Sequence, residues 1–154
     1  MPTKTAKIAK LQKHAAPEVP VKSERYVEAI GRRKTANARV RVFFGERNKK
    51  QEVIVNGKPY SEYFPLEKQR LIVVAPFKTL SIDGFHAIAR VFGGGANAQA
   101  EAIRLGIARS FVKESPESRS RLKALGYLTR DSRMVERKHP GLRKARRPQQ
   151  WRKR

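Results

Sequence analysis

The last part of the chain sets the strongest limit on how this protein folds. From Arg130 to Arg154 it carries eleven Lys or Arg residues against two acids, with only a few scattered apolar residues. Such a segment cannot bury enough apolar surface to offset its ordering entropy, and its like charges repel one another. We therefore expect it to lie outside any core, extended and mobile in water, and to bind a polyanion such as a nucleic acid, whose condensed counterions are released on binding. The alternative is a tail that serves only solubility, which cationic tails do poorly.

The positive charge is not confined to this segment. The 154 residues carry 36 Lys or Arg and 13 Asp or Glu, for a net charge of +23 and a pI near 11.3. Residues 1–25 hold six bases and two acids, and residues 26–129 hold nineteen and nine. This balance is unusual for a catalytic domain and ordinary for a protein that lies against phosphate. The folded part of the chain is thus itself expected to be a binding surface.

Composition also excludes several classes of protein. The chain has no cysteine, which rules out disulfides and thiolate metal sites, and its three histidines are too scattered for a zinc cluster. We predict no metal and no cofactor. No apolar run is long enough to span a membrane, and the N-terminus lacks the apolar region of a secretory signal. The sequence favours a cytoplasmic protein, with an organelle-targeting role for the N-terminus as the alternative.

The chain divides into three parts. Residues 1–24 are predicted to form a flexible basic arm, in which Pro17 and Pro20 block any long helix. Residues 25–129 have the strand and helix patterns of one α+β domain. Residues 130–154 form the extended basic C-terminal tail. The length of the chain suits one domain with a real core.

The apolar pattern of the domain predicts four strands and four helices. In the second strand, Ala38, Val40, Val42 and Phe44 alternate with polar residues and should face the core. In the longest helix, Ala100, Ile103, Ile107 and Phe111 share one face. The predicted strands are Tyr26–Ile30, Ala36–Phe44, Glu52–Val55 and Phe85–Phe92, with turns at Gly45–Lys50, Asn56-Gly57 and Asp83-Gly84. The predicted helices are Tyr60–Phe64 after Pro59, Leu66–Val74 ended by Pro76, Asn97–Val112, and one that starts at the N-cap Ser115 and stops at Gly126.

Three consecutive cations, Arg32, Arg33 and Lys34, follow Gly31 between the first two predicted strands. They converge on one face only if the backbone bends, which Gly31 permits. As exposed charges they are expected to position RNA phosphates and to contribute little to folding. The alternative is an ordinary polar hairpin loop.

A run of three glycines, Gly93 to Gly95, precedes the longest predicted helix. Glycines at such a position allow a phosphate to approach backbone amides and the positive end of the helix dipole. The alternative is that these glycines only turn the chain and let the helix and the sheet pack closely. The nucleotide-binding P-loop needs a Lys and a Ser or Thr after its last glycine, and Ala96 and Asn97 stand there instead. Nucleotide hydrolysis is therefore not expected.

The residues resemble a known family, the ninth protein of the bacterial-type small ribosomal subunit. Three blocks within Tyr26 to Arg154 carry the resemblance. They are GRRK with ARV from Gly31 to Val40, GGGANAQAEAIRLGIARSF from Gly93 to Phe111, and LTRDSRMVERKHPGLRKARRPQQWRKR from Leu128. At Trp151-Arg152 the family usually has Phe-Ser, so the contacts near the terminus are expected to differ in detail.

The resemblance implies a compact α+β domain with a mixed or antiparallel sheet of about four strands and helices packed on one face. It implies a structural, non-enzymatic role in the head of the small subunit, next to ribosomal RNA (rRNA) and neighbouring head proteins. It also implies that the terminal Lys153 and Arg154 reach transfer RNA (tRNA) in the peptidyl site. Arg152, a third cation directly before them, is expected to contact the tRNA as well. Trp151 offers a flat surface for stacking or anchoring. The residues expected to contact rRNA are Arg32, Arg33, Lys34, Arg39, Arg41, Arg104, Arg130, Arg133, Arg137, Lys138, Arg143, Lys144, Arg146 and Arg147.

Two other classes of function remain as alternatives. A small kinase would use the glycine run as a phosphate cradle and would need a carboxylate near it, for which Asp83 and Glu101 are candidates outside any recognisable motif. A free-standing nucleic-acid packaging protein would need the basic tail but not the long central helix. Neither alternative accounts for all three sequence blocks.

Overall fold

The first two strands form a hairpin at one edge of the sheet. The computed structural model describes residues 25–44, 52–82, 84 and 86–151. Strand β1 (Tyr26–Arg33) pairs antiparallel with β2 (Ala36–Phe43), and Lys34 begins the tight turn between them with φ 51°. The prediction that the first strand stops at Ile30 is wrong, because the strand continues unbent through Gly31. The predicted turn at Gly45–Lys50 and the N-terminal arm lie outside the described residues.

The remaining strands complete a mixed sheet. Strands β3 (Glu52–Val55), β4 (Lys58–Pro59) and β5 (His86–Phe92) join the hairpin in the order β1-β2-β5-β3-β4. β3 runs parallel to β5, and the other pairs are antiparallel. Of the two predicted alternatives, a mixed or an antiparallel sheet, the structure shows the mixed one, with five described strands instead of about four. The fifth is the two-residue β4, which exists because Asn56 and Gly57 both adopt positive φ and form a tight turn.

In the described residues, four helices connect and cover the strands. They are α1 (Tyr60–Tyr63), α2 (Glu67–Leu80), α3 (Ala96–Glu114) and α4 (Ser118–Ala124). The prediction that Pro76 ends the second helix is wrong, since α2 runs past it to Leu80. A proline inside a helix costs about 3 kcal/mol. Burial of Val73 and Phe77 in the same stretch offsets that cost, at about 1.5–3 kcal/mol for each side chain.

The last helix starts later than predicted. Ser115 was expected to cap it, but the helix begins at Ser118, with Glu117 at the N-cap position and no side-chain capping bond. The backbone N–H groups of Ser118 and Arg119 donate to the carbonyls of Ser115 and Pro116 at 3.1 Å each. A separate turn therefore precedes the helix, and Ser115 belongs to that turn. The predicted stop at Gly126 agrees with its φ of 71°.

The core lies between one face of the sheet and α3. The predicted helical face is confirmed, because Ala100, Ile103, Ile107 and Phe111 are all buried. The alternating residues of the strands meet them as predicted, except that Phe44 is only partly buried and lies edge-on to Phe111. The buried strand residues are Ala38, Val40, Val42, Val53, Val55, Ala87, Ala89 and Val91. In the part of the chain that the structure describes, no helix is long and apolar enough to cross a membrane.

Candidate nucleic-acid interface

The face of the sheet that points away from α3 carries cations and exposed apolar side chains. We call this surface the open face; its residues alternate with the core residues along each strand. Ile30 and Phe92 are 49% and 65% exposed, which is unusual for large apolar side chains in a sheet. The open face comprises Tyr26, Glu28, Ile30 and Arg32 from β1, Asn37, Arg39, Arg41 and Phe43 from β2, and His86, Ile88, Arg90 and Phe92 from β5.

The strand register places like charges directly opposite each other on the open face. Arg39 pairs with Arg90 across β2 and β5, and both side chains are exposed. Like charges at opposed positions of an antiparallel pair destabilise a sheet. A polyanion bound on this face would remove that repulsion. Arg90 and Phe92 were absent from the predicted contacts, although their alternation with Ala87, Ala89 and Val91 already places them on this side.

One carboxylate organises two of the guanidinium groups. Arg39 and Arg41 donate from Nε to the two oxygens of Glu28, at 2.7 and 2.8 Å. Hydrogen bonds from Arg41 and then Arg39 lower the pKa of Glu28 below its ordinary value. The Arg41 guanidinium also lies 5.0 Å from the centre of the Tyr26 ring, a cation–π contact. The two cations are thus held in place while Arg39 keeps over half of its side chain exposed.

Arg33 does not lie with its neighbours at the surface. Alternation along β1 turns its side chain to the helix side, where it is only 12% exposed, whereas Arg32 and Lys34 are exposed. The Nε of Arg33 lies 2.5 Å from a carboxylate oxygen of Glu101 on α3, and Nη1 donates to the backbone carbonyl of Arg133 at 2.7 Å. The predicted cluster of three exposed cations is therefore wrong for Arg33, because the strand does not bend. A contact between Arg33 and rRNA stays a prediction.

Arg104 is also less exposed than a surface cation. Its guanidinium carbon lies 4.9 Å from the centre of the Tyr127 ring, and its Nε is buried without a hydrogen-bond partner in the structure. It lies on α3 beside α2, next to Glu67 and Lys68. The predicted core face of α3 does not include Arg104, and its half-buried position agrees with that. Its predicted contact with rRNA stays a prediction.

The basic tail contains neither helix nor strand through residue 151. Its two acids are paired locally: Arg133 donates to Asp131 at 2.8 Å, and Arg146 donates to Glu136 at 2.9 Å. The hydrogen bonds from Arg133 hold the pKa of Asp131 well below its ordinary range. The predicted tail cations all lie exposed on this segment: Arg130, Arg133, Arg137, Lys138, Arg143, Lys144, Arg146 and Arg147.

The end of the described tail presents a bare aromatic ring. Trp151 is 88% exposed, and Val135 and Met134 are 90% and 57% exposed. An indole ring left in water costs free energy that stacking on a base recovers. The predicted tRNA contacts Arg152, Lys153 and Arg154 lie outside the described residues.

In the glycine run before α3, Gly93 and Gly94 pack closely against Thr35 and Ala36. Gly93 and Gly94 have positive φ, and a Cβ added to Gly93 would lie 2.5 Å from the carbonyl oxygen of Thr35. Glu101, the carboxylate considered for an enzyme, is bonded to Arg33. Among the described residues, no group of three or more His, Cys, Asp or Glu is placed to hold a metal ion. Packing against Thr35 and Ala36 thus accounts for Gly93 and Gly94, and Arg33 occupies Glu101. Asp83, the other carboxylate considered for a kinase, lies outside the described residues.

An α+β domain with a basic open face and a long cationic tail without helix or strand is typical of a small basic protein of the nucleic-acid-binding class. A comparison with family models agrees, because the model for ribosomal protein S9/S16 matches residues 31–154. The chain belongs to this family, which is structural and non-enzymatic. The match confirms the resemblance seen in the three sequence blocks.

Curated bacterial relatives support the same assignment. A small ribosomal subunit protein uS9 from Arthrobacter sp. is 50% identical over 128 residues, which cover 82% of this chain and 74% of the relative. The protein of that name from Rhodococcus opacus is 42% identical over 91% of this chain and 81% of its own. The one from Mycolicibacterium paratuberculosis is 40% identical over 99% of this chain and 90% of its own. The chain is a ribosomal protein of the small-subunit uS9 type and a structural constituent of the ribosome.

Proposed function

We propose that this protein binds rRNA in the head of the small subunit and extends its C-terminal tail to tRNA in the peptidyl site. The observation that carries the proposal is the tail itself: it lacks helix and strand, exposes its predicted cations, and ends its described part in a nearly bare Trp151. In an isolated protein such a segment contributes little to stability, because it buries little apolar surface. In a channel lined by phosphates, each cation contributes to affinity.

The open face is the second part of the proposed rRNA surface. Arg39 and Arg41 are fixed in place by Glu28, so fewer rotamers are lost when they meet a phosphate. The repulsion between Arg39 and Arg90 favours a polyanionic partner. Phe92 and Ile30 add exposed apolar area on which an unpaired base can stack. Neighbouring head proteins are expected at the margins of the domain, in a cytoplasmic ribosome.

At the proposed tRNA contact, chemistry favours arginine at the end of the chain. A guanidinium group makes two parallel hydrogen bonds to a phosphate, whereas an ammonium group acts as a point charge. The terminal carboxylate partly offsets the charge of Arg154. A directed contact to phosphate therefore contributes more than bulk charge.

The rRNA part is tested by salt dependence. Binding of the full chain to a small-subunit head rRNA fragment is measured from low to moderate salt, beside a chain that ends at residue 129. The full chain should lose affinity steeply, and the truncated chain should show a shallower slope, because each lost phosphate contact reduces the slope by about 0.7–0.9. Equal slopes would show that the tail does not bind the rRNA.

A further inference from the structure

We infer that Arg33 is a positioning residue that fixes the direction in which the C-terminal tail leaves the domain. Its fork of donors joins the end of β1, the helix α3 and the first residues of the tail. We call this arrangement, formed by Arg33, Glu101, Asp131 and the backbone of Arg133, the tail clamp. Its benefit for tRNA binding rests on the proposed function, whereas its effect on tail geometry does not.

The tail clamp uses each part of the Arg33 guanidinium. Nε donates to Glu101, Nη2 lies 3.1 Å from Oδ2 of Asp131, and Nη1 donates to the backbone carbonyls of Arg133 and Asp131 at 2.7 and 3.3 Å. Two of these partners are charged side chains and two are backbone groups. The planar fork of arginine fits such a set, while the single ammonium group of lysine does not.

Because the Arg33 side chain is largely buried, it depends on hydrogen-bond partners from the tail. The Arg33 side chain is 12% exposed, and a buried guanidinium that loses partners is costly because water does not replace them fully. Glu101 satisfies only one side of the fork. The other side is satisfied by residues 131–133, so the clamp is complete only when the start of the tail lies against it.

The other ion pairs of the described tail do not reach the domain. Arg133 pairs with Asp131, two positions away, and Arg146 pairs with Glu136, ten positions away. The bonds to Arg33 instead span 98 and 100 positions. Before the clamp, Tyr127 and Leu128 pack at the edge of the core. The clamp thus ties the start of the described tail to β1 and α3.

A fixed start matters because the tail is long. The chain from Met134 to Arg154 reaches up to about 70 Å when extended, at roughly 3.3 Å per residue. A small change of angle at residue 131 therefore moves the tip over a large volume. Fixing the exit direction raises the effective concentration of the tip at its target without any new contact there.

The absence of cysteine from the chain permits a direct test. Spin labels at Lys78→Cys on α2 and Val135→Cys in the tail, both exposed positions, report the spread of distances between domain and tail in the full-length protein. The parent should give a narrow distribution. In Arg33→Gln it should broaden, because the seven residues that follow Leu128, up to Val135, then act as a flexible segment with a root-mean-square end-to-end distance of roughly 15 Å. Arg33→Lys should broaden it partly, because lysine keeps the charge and loses the fork.

Two matched controls separate the clamp from general charge loss. Arg32→Gln removes an adjacent cation on the opposite side of the same strand, and Arg133→Gln removes the local pair with Asp131 but keeps the carbonyl that Arg33 uses. Both should leave the distribution narrow. Asp131→Asn should broaden it while Arg33 and Glu101 stay paired, so this variant carries the test if Arg33→Gln fails to fold. Narrow distributions in the Arg33 and Asp131 variants, or equal broadening in the controls, would overturn the inference.

The effect on tRNA is measured separately on purified small subunits. Subunits with Arg33→Lys should release tRNA faster than subunits with Arg121→Lys, at an exposed position on α4 outside the proposed contacts, although the tail sequence is intact in both. Equal release rates together with a broadened tail would overturn the functional part of the inference. If deleting Lys153 and Arg154 also left the rate of tRNA release unchanged, the proposed tRNA contact itself would be wrong. The distances between the spin labels would still show whether the clamp fixes the tail.

Discussion

Gly31 of β1 and Ala102 of α3 lie so close that no side chain fits between them. A Cβ added to Gly31 would lie 1.8 Å from the carbonyl oxygen of Ala102 and 2.7 Å from the backbone nitrogen of Gly106. Real atoms do not approach backbone so closely, so strand and helix would have to separate. This contact sets the distance between the sheet and its principal helix.

Gly31→Ala should therefore destabilise the domain by more than the 1–3 kcal/mol that is typical of overpacking. Urea unfolding measures the change. Gly95→Ser is the control, because nothing lies within 4 Å of a Cβ at that position and serine is favourable at an N-cap. A Gly31→Ala protein as stable as its parent would show that the helix moves away without cost.

The role of Gly31 could not be predicted from the sequence. The glycine was expected to bend the strand, which is a local property, but it serves an approach between residues 71 positions apart. β3 matched its predicted bounds, and the core face of α3 was right, because both depend on local apolar periodicity. Alternation along the sequence does not reveal which helix covers a strand.

The same limit explains the error on Arg33. Its neighbours in the sequence are exposed cations, and its partners lie 68 or more positions away. Periodicity alone gave no reason to separate it from Arg32. Similarly, Pro76 locally disfavours helix, but burial of the surrounding residues in the core outweighs that effect, and the helix continues. Arg90 and Phe92, in contrast, were accessible to sequence reasoning through the alternation of β5.

Arg33 and Arg32 should differ in their effect on stability. Replacing Arg33 with Gln should cost about 1–3 kcal/mol, because Glu101 and two carbonyls lose a charged partner at a site that stays largely buried. Replacing the exposed Arg32 with Gln should change stability by less than about 0.5 kcal/mol. The free energy of unfolding of each variant measures this difference. Equal values would mean that Arg33 is solvated like its neighbour.

Removing Arg90 should change stability and RNA affinity in opposite directions. Arg90→Gln relieves the repulsion with Arg39, so the isolated protein should become more stable by about 0.2–1 kcal/mol. The same change should weaken rRNA binding and reduce its salt slope. Lys68→Gln, at an exposed position on α2, is the control. Loss of stability with unchanged RNA binding would assign Arg90 to the fold.

Glu28 makes the open face sensitive to acid. Its pKa is lowered by hydrogen bonds from Arg41 and Arg39, so the folded state favours the charged form more than the unfolded state does. A lowered pKa contributes stability that is present above the ordinary value of 4.5 and is lost as the pH falls through the lowered one. The stability difference between the parent and Glu28→Gln should shrink over that window.

The carboxyl carbon of Glu28, followed by nuclear magnetic resonance, should titrate below pH 4.5 in the parent. In a variant with Gln at positions 39 and 41, the midpoint should move back up, because both donors are gone. An unchanged midpoint in that variant would show that the two arginines do not hold the carboxylate in solution.

In the proposed function, the cationic tail ends at tRNA. The most direct measurement is the dissociation rate of peptidyl-site tRNA from small subunits whose copy of this protein lacks Lys153 and Arg154. The remaining tail cations are expected to hold rRNA, so the subunits should assemble normally. Dissociation should be faster by an amount equivalent to about 1–3 kcal/mol, the scale of hydrogen bonds to charged groups. A second variant, which keeps Lys153 and carries Arg154→Lys, should recover part of this loss. Rates equal to those of the parent subunits would show that the tail never reaches the tRNA.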